Sequence, residues 1–254
     1  MTITKHFKEI QRRSFIILFS LIASIIISLL YSEELLFILT KPLLEISSNP
    51  TTEIFDSSHS SSRRFIFTDV TEVFITYLRM SITIAFFTQI PLIFYHTWHF
   101  TLPGLYKKER FFISRLFIGS IIFLTLSILF VYFIMIPIAW NFFLTYENNC
   151  LEGPFQLQLE AKVNEYVSLV VTLFMAVSFL FQLPVFLILL LYLKVVNLKG
   201  LMKQRRLFCI GSFILSALCS PPDIVSQLIM AIPLILLYEL IIIIALIDEG
   251  YKKY

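Results

Sequence analysis

Charged residues and glycine are both scarce in this chain. Only 15% of its 254 residues are Asp, Glu, Lys or Arg, while 58% are hydrophobic and the mean hydropathy is +0.86. Soluble domains carry about 25% charged residues, so the composition excludes that class and predicts a single membrane domain over residues 1–254. The 6 glycines against 27 phenylalanines are a bias typical of AT-rich genomes such as those of organelles.

Residues that carry redox, metal or nucleophilic chemistry are also few. Cys150, Cys209 and Cys219 are too irregularly spaced for a disulfide framework or a Cys-x-x-Cys metal site. His96 and His99 sit together at one helix end, whereas haem ligation needs histidines at membrane depth on facing helices. Nucleophile, zinc-protease and Walker-type motifs are missing, and a net charge of +3 is too small to indicate nucleic acid. We therefore expect no enzyme, metal or cofactor.

What the chain does contain is a series of apolar runs, which predict an all-α integral membrane protein with six transmembrane helices, the last two short. The predicted spans are residues 14–31, 70–100, 111–140, 166–192, 207–219 and 224–247. The fifth run would make a helix of about 20 Å, against a hydrocarbon core of ~30 Å. A further short helix is expected at Glu34–Ile46, lying at the interface and broken at Pro42.

Basic residues are distributed unevenly between the two sides of the predicted bundle. Most of the 20 Lys and Arg lie in the N-terminal tail, around the segment between spans two and three, in the 194–206 loop and at the C-terminus. The exceptions are Lys41, Arg63, Arg64, Arg79 and Lys162. Because cytoplasmic and matrix-side loops carry the excess of Lys and Arg, both termini are predicted on that side.

Polar residues inside spans are costly and are functional candidates. Arg79, Gln182 and Glu239 qualify. Arg79 either pairs with Glu72 on the same helix face or has a functional role. Gln182 either bonds a neighbouring helix or contacts a partner. Glu239 lies toward the inner end of its span, from which its carboxylate could reach the interface.

Two carboxylates interrupt the basic side of the protein. Glu9 lies in the N-terminal tail, and Glu109 lies in the polar hinge of residues 100–110, which holds the Pro103-Gly104 turn. Each either neutralises its basic neighbours or belongs to an acceptor pair for guanidinium groups of a ligand. Carboxylates bind Arg through two parallel hydrogen bonds and so discriminate against Lys.

Five stretches carry a family resemblance. They are H-F-K-E-I-Q-R-R at 6–13, T-D-V-T-E-V-F at 68–74, F-T-L-P-G-L-Y-K-K-E-R at 100–110, F-Q-L-P-V at 181–185 and S-P-P-D-I-V-S-Q at 220–227. In this order they resemble the motifs of the TatC family, the multi-span receptor subunit of the twin-arginine protein translocase. The hinge motif is the most specific. Gln11 stands where that family usually has Arg, and Gln182 replaces the Glu of many members.

The resemblance implies a function and a set of site residues. Members move folded proteins across an inner membrane, driven by the proton-motive force and without nucleotide. Carried over by position, the residues that bind the twin arginines of a signal peptide or shape that surface are Glu9, Arg13, Phe100, Pro103, Tyr106, Glu109 and Arg110. Those implied in partner contact or translocation are Glu72, Gln182, Pro184, Asp223 and Gln227.

The resemblance also implies partners and a location. The partners would be twin-arginine signal peptides, single-span TatA/TatB-like subunits and the lipid bilayer, with a homo-oligomer also compatible. A mitochondrial inner membrane is favoured, with a bacterial plasma membrane as the alternative. A small-solute or ion permease would instead need a polar file or an inverted repeat, and an anchor subunit of a respiratory complex would need paired membrane-depth histidines. Neither pattern is evident in the sequence.

Overall fold

A computed structural model describes residues 3–47, 69–104, 106–150, 162–220 and 223–252, and its regular elements are helices. In chain order they are α1 (Ile3–Leu30), α2 (Ser32–Ser47), α3 (Val70–Thr101), a 3₁₀ turn (Leu102–Gly104), α4 (Lys107–Phe130), a π turn (Val131–Met135), α5 (Ile136–Cys150), α6 (Val163–Phe181), α7 (Leu183–Tyr192), α8 (Leu198–Lys203), α9 (Arg205–Cys219) and α10 (Ile224–Lys252).

Within these ranges, five helical stretches are long and apolar enough to cross a membrane. They are Phe7–Leu30, Thr71–Thr101, Glu109–Thr145, Val163–Tyr192 and Ile224–Ile247. Helix α9, with 15 residues, supplies the sixth segment and reaches only about 22 Å. The all-α, six-helix prediction is confirmed. Of the last two helices, however, only α9 is short, because α10 continues through Pro233 for 29 residues.

The chain forms two compact units, Met1–Phe117 with Gln158–Val171, and Ile118–Leu157 with Thr172–Tyr254. We call them unit 1 and unit 2. A compact unit is not thereby a domain that folds alone, so the single membrane domain over residues 1–254 stays a prediction.

In unit 1, α1 and α2 both pack on α3. Helix α2 continues through Pro42, so the predicted break there is wrong. A proline removes one backbone hydrogen bond but does not end a helix whose other contacts compensate. Here Pro42 is buried, and one turn earlier the Tyr166 hydroxyl donates to the Leu39 carbonyl at 2.7 Å.

In unit 2, the third span does not end at Trp140 as predicted, because α5 continues to Cys150. A π turn precedes Pro137, and the Ile136 N–H donates to the Val131 carbonyl, five residues back. Proline has no N–H for the next bond, and a wider turn at this point accommodates its ring without ending the helix.

A small apolar cluster packs α8 and the start of α9 at one end of unit 2. Its buried members are Leu198, Leu201, Tyr238, Ile241 and Ile242. The Phe208 and Tyr238 rings stack at 3.9 Å, and the Tyr238 hydroxyl donates to the Leu201 carbonyl at 2.7 Å. These contacts fix α8 and the start of α9 against α10.

Candidate functional site

Glu9 lies near the start of α1, where Arg13 holds its carboxylate. The Arg13 Nη2 is 2.5 Å from Glu9 Oε1, and its Nη1 donates to the His96 carbonyl on α3 at 3.1 Å. The Arg13 side chain is 17% exposed and that of Glu9 is 35% exposed. Arg13 therefore links Glu9 to the end of α3, and it neutralises Glu9 as the first of the two alternatives predicts.

Glu109 lies in the first turn of α4. Its Oε2 accepts a hydrogen bond from the Tyr106 backbone N–H at 3.1 Å, and the Arg110 N–H donates to the Tyr106 carbonyl at 2.9 Å. The bond from the Tyr106 N–H to the Glu109 carboxylate is half of a capping box, in which the third residue of the helix accepts from the residue that precedes the helix. The positive end of the helix dipole also favours a carboxylate at this position. The cap engages one oxygen of Glu109, Oε2.

Both carboxylates belong to one end of unit 1. Arg13 contacts His96 in the last turns of α3, and only the 3₁₀ turn of Leu102–Gly104 and two further residues separate α3 from α4. Past this turn, the Trp98 ring of α3 and the Phe117 ring of α4 stack at 5.7 Å. Both acids therefore belong to the same end of unit 1, and their joint action on guanidinium groups stays a prediction.

We call this end of unit 1 the hinge surface. It consists of the signal-binding candidates Glu9, Arg13, Phe100, Pro103, Tyr106, Glu109 and Arg110. Tyr106 is 80% exposed, Pro103 and Arg110 are also exposed, and Phe100 is half-buried. The surface thus combines two partly accessible acids with an exposed aromatic ring.

Further cations lie in the same segments of the chain as the hinge surface. Like its member Arg110, Lys8 and Arg12 are exposed, and the Arg115 guanidinium lies 4.5 Å from the centre of the Phe111 ring. A simple cation gains little at such a surface. Because each carboxylate oxygen has two lone pairs, a guanidinium can still make two hydrogen bonds to either acid beside its existing partner, which would favour arginine over lysine.

Gln182 occupies a break between α6 and α7. The Ser120 hydroxyl donates to Gln182 Oε1 at 2.8 Å, and Gln182 Nε2 donates to the Ser120 carbonyl at 3.1 Å. Pro184, buried at the start of α7, cannot supply a helical N–H and so favours the break. Because α4 already engages both ends of the amide, the structure supports the interhelical interpretation of Gln182.

The other residues assigned to partner contact also have bonds within the chain. Asp223 Oδ2 accepts the Ser226 N–H at 3.1 Å and caps α10, while Gln227 Nε2 donates to the Phe213 carbonyl of α9 at 3.0 Å. Glu72 is half-buried in the first turn of α3, at the end remote from the hinge surface.

Two further intramembrane candidates are Arg79 and Glu239. Arg79 is exposed on α3, and its pairing with Glu72 stays a prediction. Glu239 pairs with Arg205 at 3.1 Å, so it does lie near the basic start of α9. Both members of that pair are more than a third exposed, which limits its contribution to stability.

Sequence reasoning missed the residues that join α1 to α3. The buried Gln89 bonds Ser20, and the Ser24 and Ser81 hydroxyls donate to carbonyls across the same interface. The available signal was the repeat of serine at every fourth position of α1, Ser20, Ser24 and Ser28, which marks one helix face.

The fold and the hinge surface define a polytopic, all-helical membrane protein with two acids at the hinge end of unit 1. Among the described residues, no group of three or more His, Cys, Asp or Glu is placed to hold a metal ion. The family model of the Sec-independent protein translocase protein (TatC) matches residues 5–233. This chain belongs to the TatC family, a family of protein translocase subunits and not of enzymes.

Individual relatives agree with this assignment. The chain is 38% identical over 241 residues to the Sec-independent protein translocase protein TatC of Rickettsia prowazekii, covering 94% of this chain and 90% of the relative. It is 32% identical over 252 residues to the uncharacterized tatC-like protein ymf16 of Reclinomonas americana, covering 99% and 90%. A crystal structure of the twin arginine translocase receptor TatC in DDM superposes with a TM-score of 0.70 at 29% identity, covering 94% and 98%. The family resemblance of the motifs is confirmed.

Proposed function

We propose that this chain is the receptor subunit of a twin-arginine translocase, and that its hinge surface binds signal peptides carrying two adjacent arginines. The observation that supports this most directly is the placement of Glu9 and Glu109 at one end of unit 1. Each has one carboxylate oxygen engaged by its own chain, Glu9 by Arg13 and Glu109 by the Tyr106 N–H. Each therefore has a second oxygen for an incoming guanidinium.

These contacts suggest a separate role for each residue of the hinge surface. Glu9 and Glu109 accept one arginine each, and Arg13 positions Glu9 through its bond to the His96 carbonyl. Tyr106 lies three residues before Glu109 in the chain. Its ring is exposed and offers a face on which a guanidinium can stack. Family membership favours this role over the permease and the respiratory anchor.

Transport itself follows from the resemblance. The chain would assemble with single-span TatA/TatB-like subunits and with further copies of itself, and would move folded proteins using the proton-motive force. Partner contact stays a proposal for Glu72, Gln182, Pro184, Asp223 and Gln227. The bonds that Gln182, Asp223 and Gln227 make within the chain do not require a partner.

Location and orientation complete the proposal. The scarcity of glycine supports a mitochondrial inner membrane, and a bacterial plasma membrane is the alternative. The hinge surface faces the matrix or cytoplasm, as the basic residues predict. In a chain whose native cysteines are replaced by serine, Gln11→Cys should react with an impermeant maleimide from that side only. Reaction only from the opposite side would invert the orientation.

Binding of a fluorescent twin-arginine signal peptide to the full chain in nanodiscs tests the proposed site. Glu9→Gln and Glu109→Gln should each raise the Kd about tenfold or more, because a hydrogen bond to a charged group contributes about 1.5–3 kcal/mol. Glu33→Gln is the matched control, since Glu33 is an exposed carboxylate at the start of α2 and should leave the Kd unchanged. Wild-type affinity in the Glu9→Gln, Glu109→Gln double variant would remove the site assignment.

A further inference from the structure

Helices α1 and α3 are joined along their length by a row of polar contacts, which we call the polar seam. Its members are Arg13, Ser20, Ser24 and Ser28 on α1, and His96, Gln89, Ala85 and Ser81 on α3. Each forward step of seven or four residues on α1 is matched by the same step backward on α3. The contacts therefore belong to one antiparallel register.

Two hydrogen-bond contacts of the seam form a clasp between Gln89 and Ser20. The Ser20 hydroxyl lies 2.9 Å from Gln89 Oε1, and Gln89 Nε2 donates to the Ser20 carbonyl at 3.0 Å. Toward the other end, the buried Ser81 hydroxyl donates to the Ser28 carbonyl at 3.1 Å. A slip between the helices would leave these buried groups without partners, at a cost that no lipid contact offsets.

Lipid contacts do not fix the height of α1. Its outward side chains are exposed Phe, Ile and Leu residues, among them Phe15, Phe19 and Ile22, which lipid solvates equally well in neighbouring registers. The register is therefore set on the side that faces α3, by packing together with the directional bonds of the seam.

The register has a consequence at the hinge surface. Continued by one turn beyond Arg13 and His96, it places Glu9 level with Phe100, at the end of α3 from which the chain passes to Glu109. A slip of one helical turn would move Glu9 by about 5.4 Å, which exceeds the reach of a hydrogen bond.

We propose that the polar seam, centred on Gln89, is a positioning device: it sets the height of Glu9 relative to Glu109 and so the arginine spacing that the hinge surface accepts. This inference rests on the proposed function. Gln89 and Ser20 are positioning residues that contact no ligand, and their effect on binding passes through Glu9. A twin-arginine peptide should thus be distinguished from one whose arginines are separated by another residue.

The test combines a distance with a preference, measured on the full chain in nanodiscs. Spin labels at Gln11→Cys and Thr101→Cys, both exposed, report the height of α1 on α3 by double electron–electron resonance, in a chain otherwise free of cysteine. The ratio of Kd values for peptides with adjacent and separated arginines reports the spacing preference. Gln89→Leu should broaden or shift the distance distribution by several ångströms and reduce the preference at least fivefold.

Two further variants make the result specific. Gln89→Glu in its protonated form keeps one donor and one acceptor and should restore both readouts. Gln182→Leu removes the similar clasp to Ser120, which belongs to unit 2 and not to the seam, and should change neither. The inference is overturned if Gln89→Leu leaves the distances unchanged, or if Gln182→Leu has the same effect. A wild-type chain without preference for adjacent arginines would contradict the proposed function, while the distances would still decide whether the seam sets the register.

Discussion

A glutamine at membrane depth needs both a donor and an acceptor, and this chain satisfies two of them in a similar way. Gln182 accepts from the Ser120 hydroxyl and donates to the Ser120 carbonyl. Gln89 donates to the Ser20 carbonyl, and its Oε1 lies 2.9 Å from the Ser20 hydroxyl, whose single proton is shared with the Ile17 carbonyl at 2.9 Å. A serine suits this role because its short side chain allows the helices to approach closely. For Gln182 the clasp explains an intramembrane polar residue without a partner subunit.

This interpretation of Gln182 predicts coupling to Ser120. Gln182→Leu and Ser120→Ala should each lower the free energy of unfolding, and the double variant should lose less than the sum of the two. The expected coupling is about 0.6 kcal/mol and at most about 1.7 kcal/mol, the average and the maximum of double-mutant cycles for side-chain hydrogen bonds between transmembrane helices. Denaturant unfolding in mixed micelles provides the four values. Strict additivity would show that the clasp contributes nothing, and a partner role for Gln182 would then regain support.

At the scale of elements, helix α7 ends in a Schellman motif. The Val195 N–H donates to the Leu190 carbonyl and the Lys194 N–H to the Leu191 carbonyl, both at 3.1 Å. Lys194 therefore adopts a left-handed conformation with φ of 57°, the position at which glycine is usual. For a residue other than glycine, the left-handed conformation lowers the stability of the folded state by about 1 kcal/mol or more.

Lys194→Gly should therefore raise the free energy of unfolding by about 0.5–1 kcal/mol, because glycine adopts this conformation without strain. Lys199→Gly is the control, since Lys199 lies inside α8 and glycine there should lower stability by a similar amount. Thermal unfolding in detergent compares the two with the parent chain. A drop in stability for Lys194→Gly would show that its side-chain contacts outweigh the strain.

Helix positions could be predicted from the sequence, but helix continuity could not. The apolar runs located all six spans and the short α9, because a bilayer imposes length and hydrophobicity directly. The outcome at a proline depends on its neighbours: α2 continues through Pro42, a π turn precedes Pro137, and the helix breaks before Pro184. These three outcomes follow from packing and local hydrogen bonds, which the sequence pattern does not contain.

The candidate site, too, could be predicted from the sequence only in part. Glu9 and Glu109 stood out because each is an acid within a basic cluster, and the structure places them at one end of unit 1. The polar seam escaped detection because serines are common in transmembrane helices and Gln89 lies 69 residues from Ser20 along the chain. Only the paired register of α1 and α3 gives these residues a shared role.

At the scale of the whole molecule, a receptor at a membrane edge must recognise a short cationic motif among many cations. Unit 1 supplies a surface with two acids, held by Arg13 and by the cap of α4. In the intact chain, selectivity for arginine over lysine should therefore disappear when both acids are neutralised, even if a weaker attraction to the rest of the signal peptide remains.

The most direct measurement is a binding cycle on the full chain in nanodiscs. It compares two peptides, one with twin arginines and one with twin lysines, on the parent chain and on the Glu9→Gln, Glu109→Gln double variant. The account predicts that the parent chain prefers the arginine peptide at least about tenfold and that the double variant binds both peptides equally. An arginine preference of undiminished size in the double variant would contradict it.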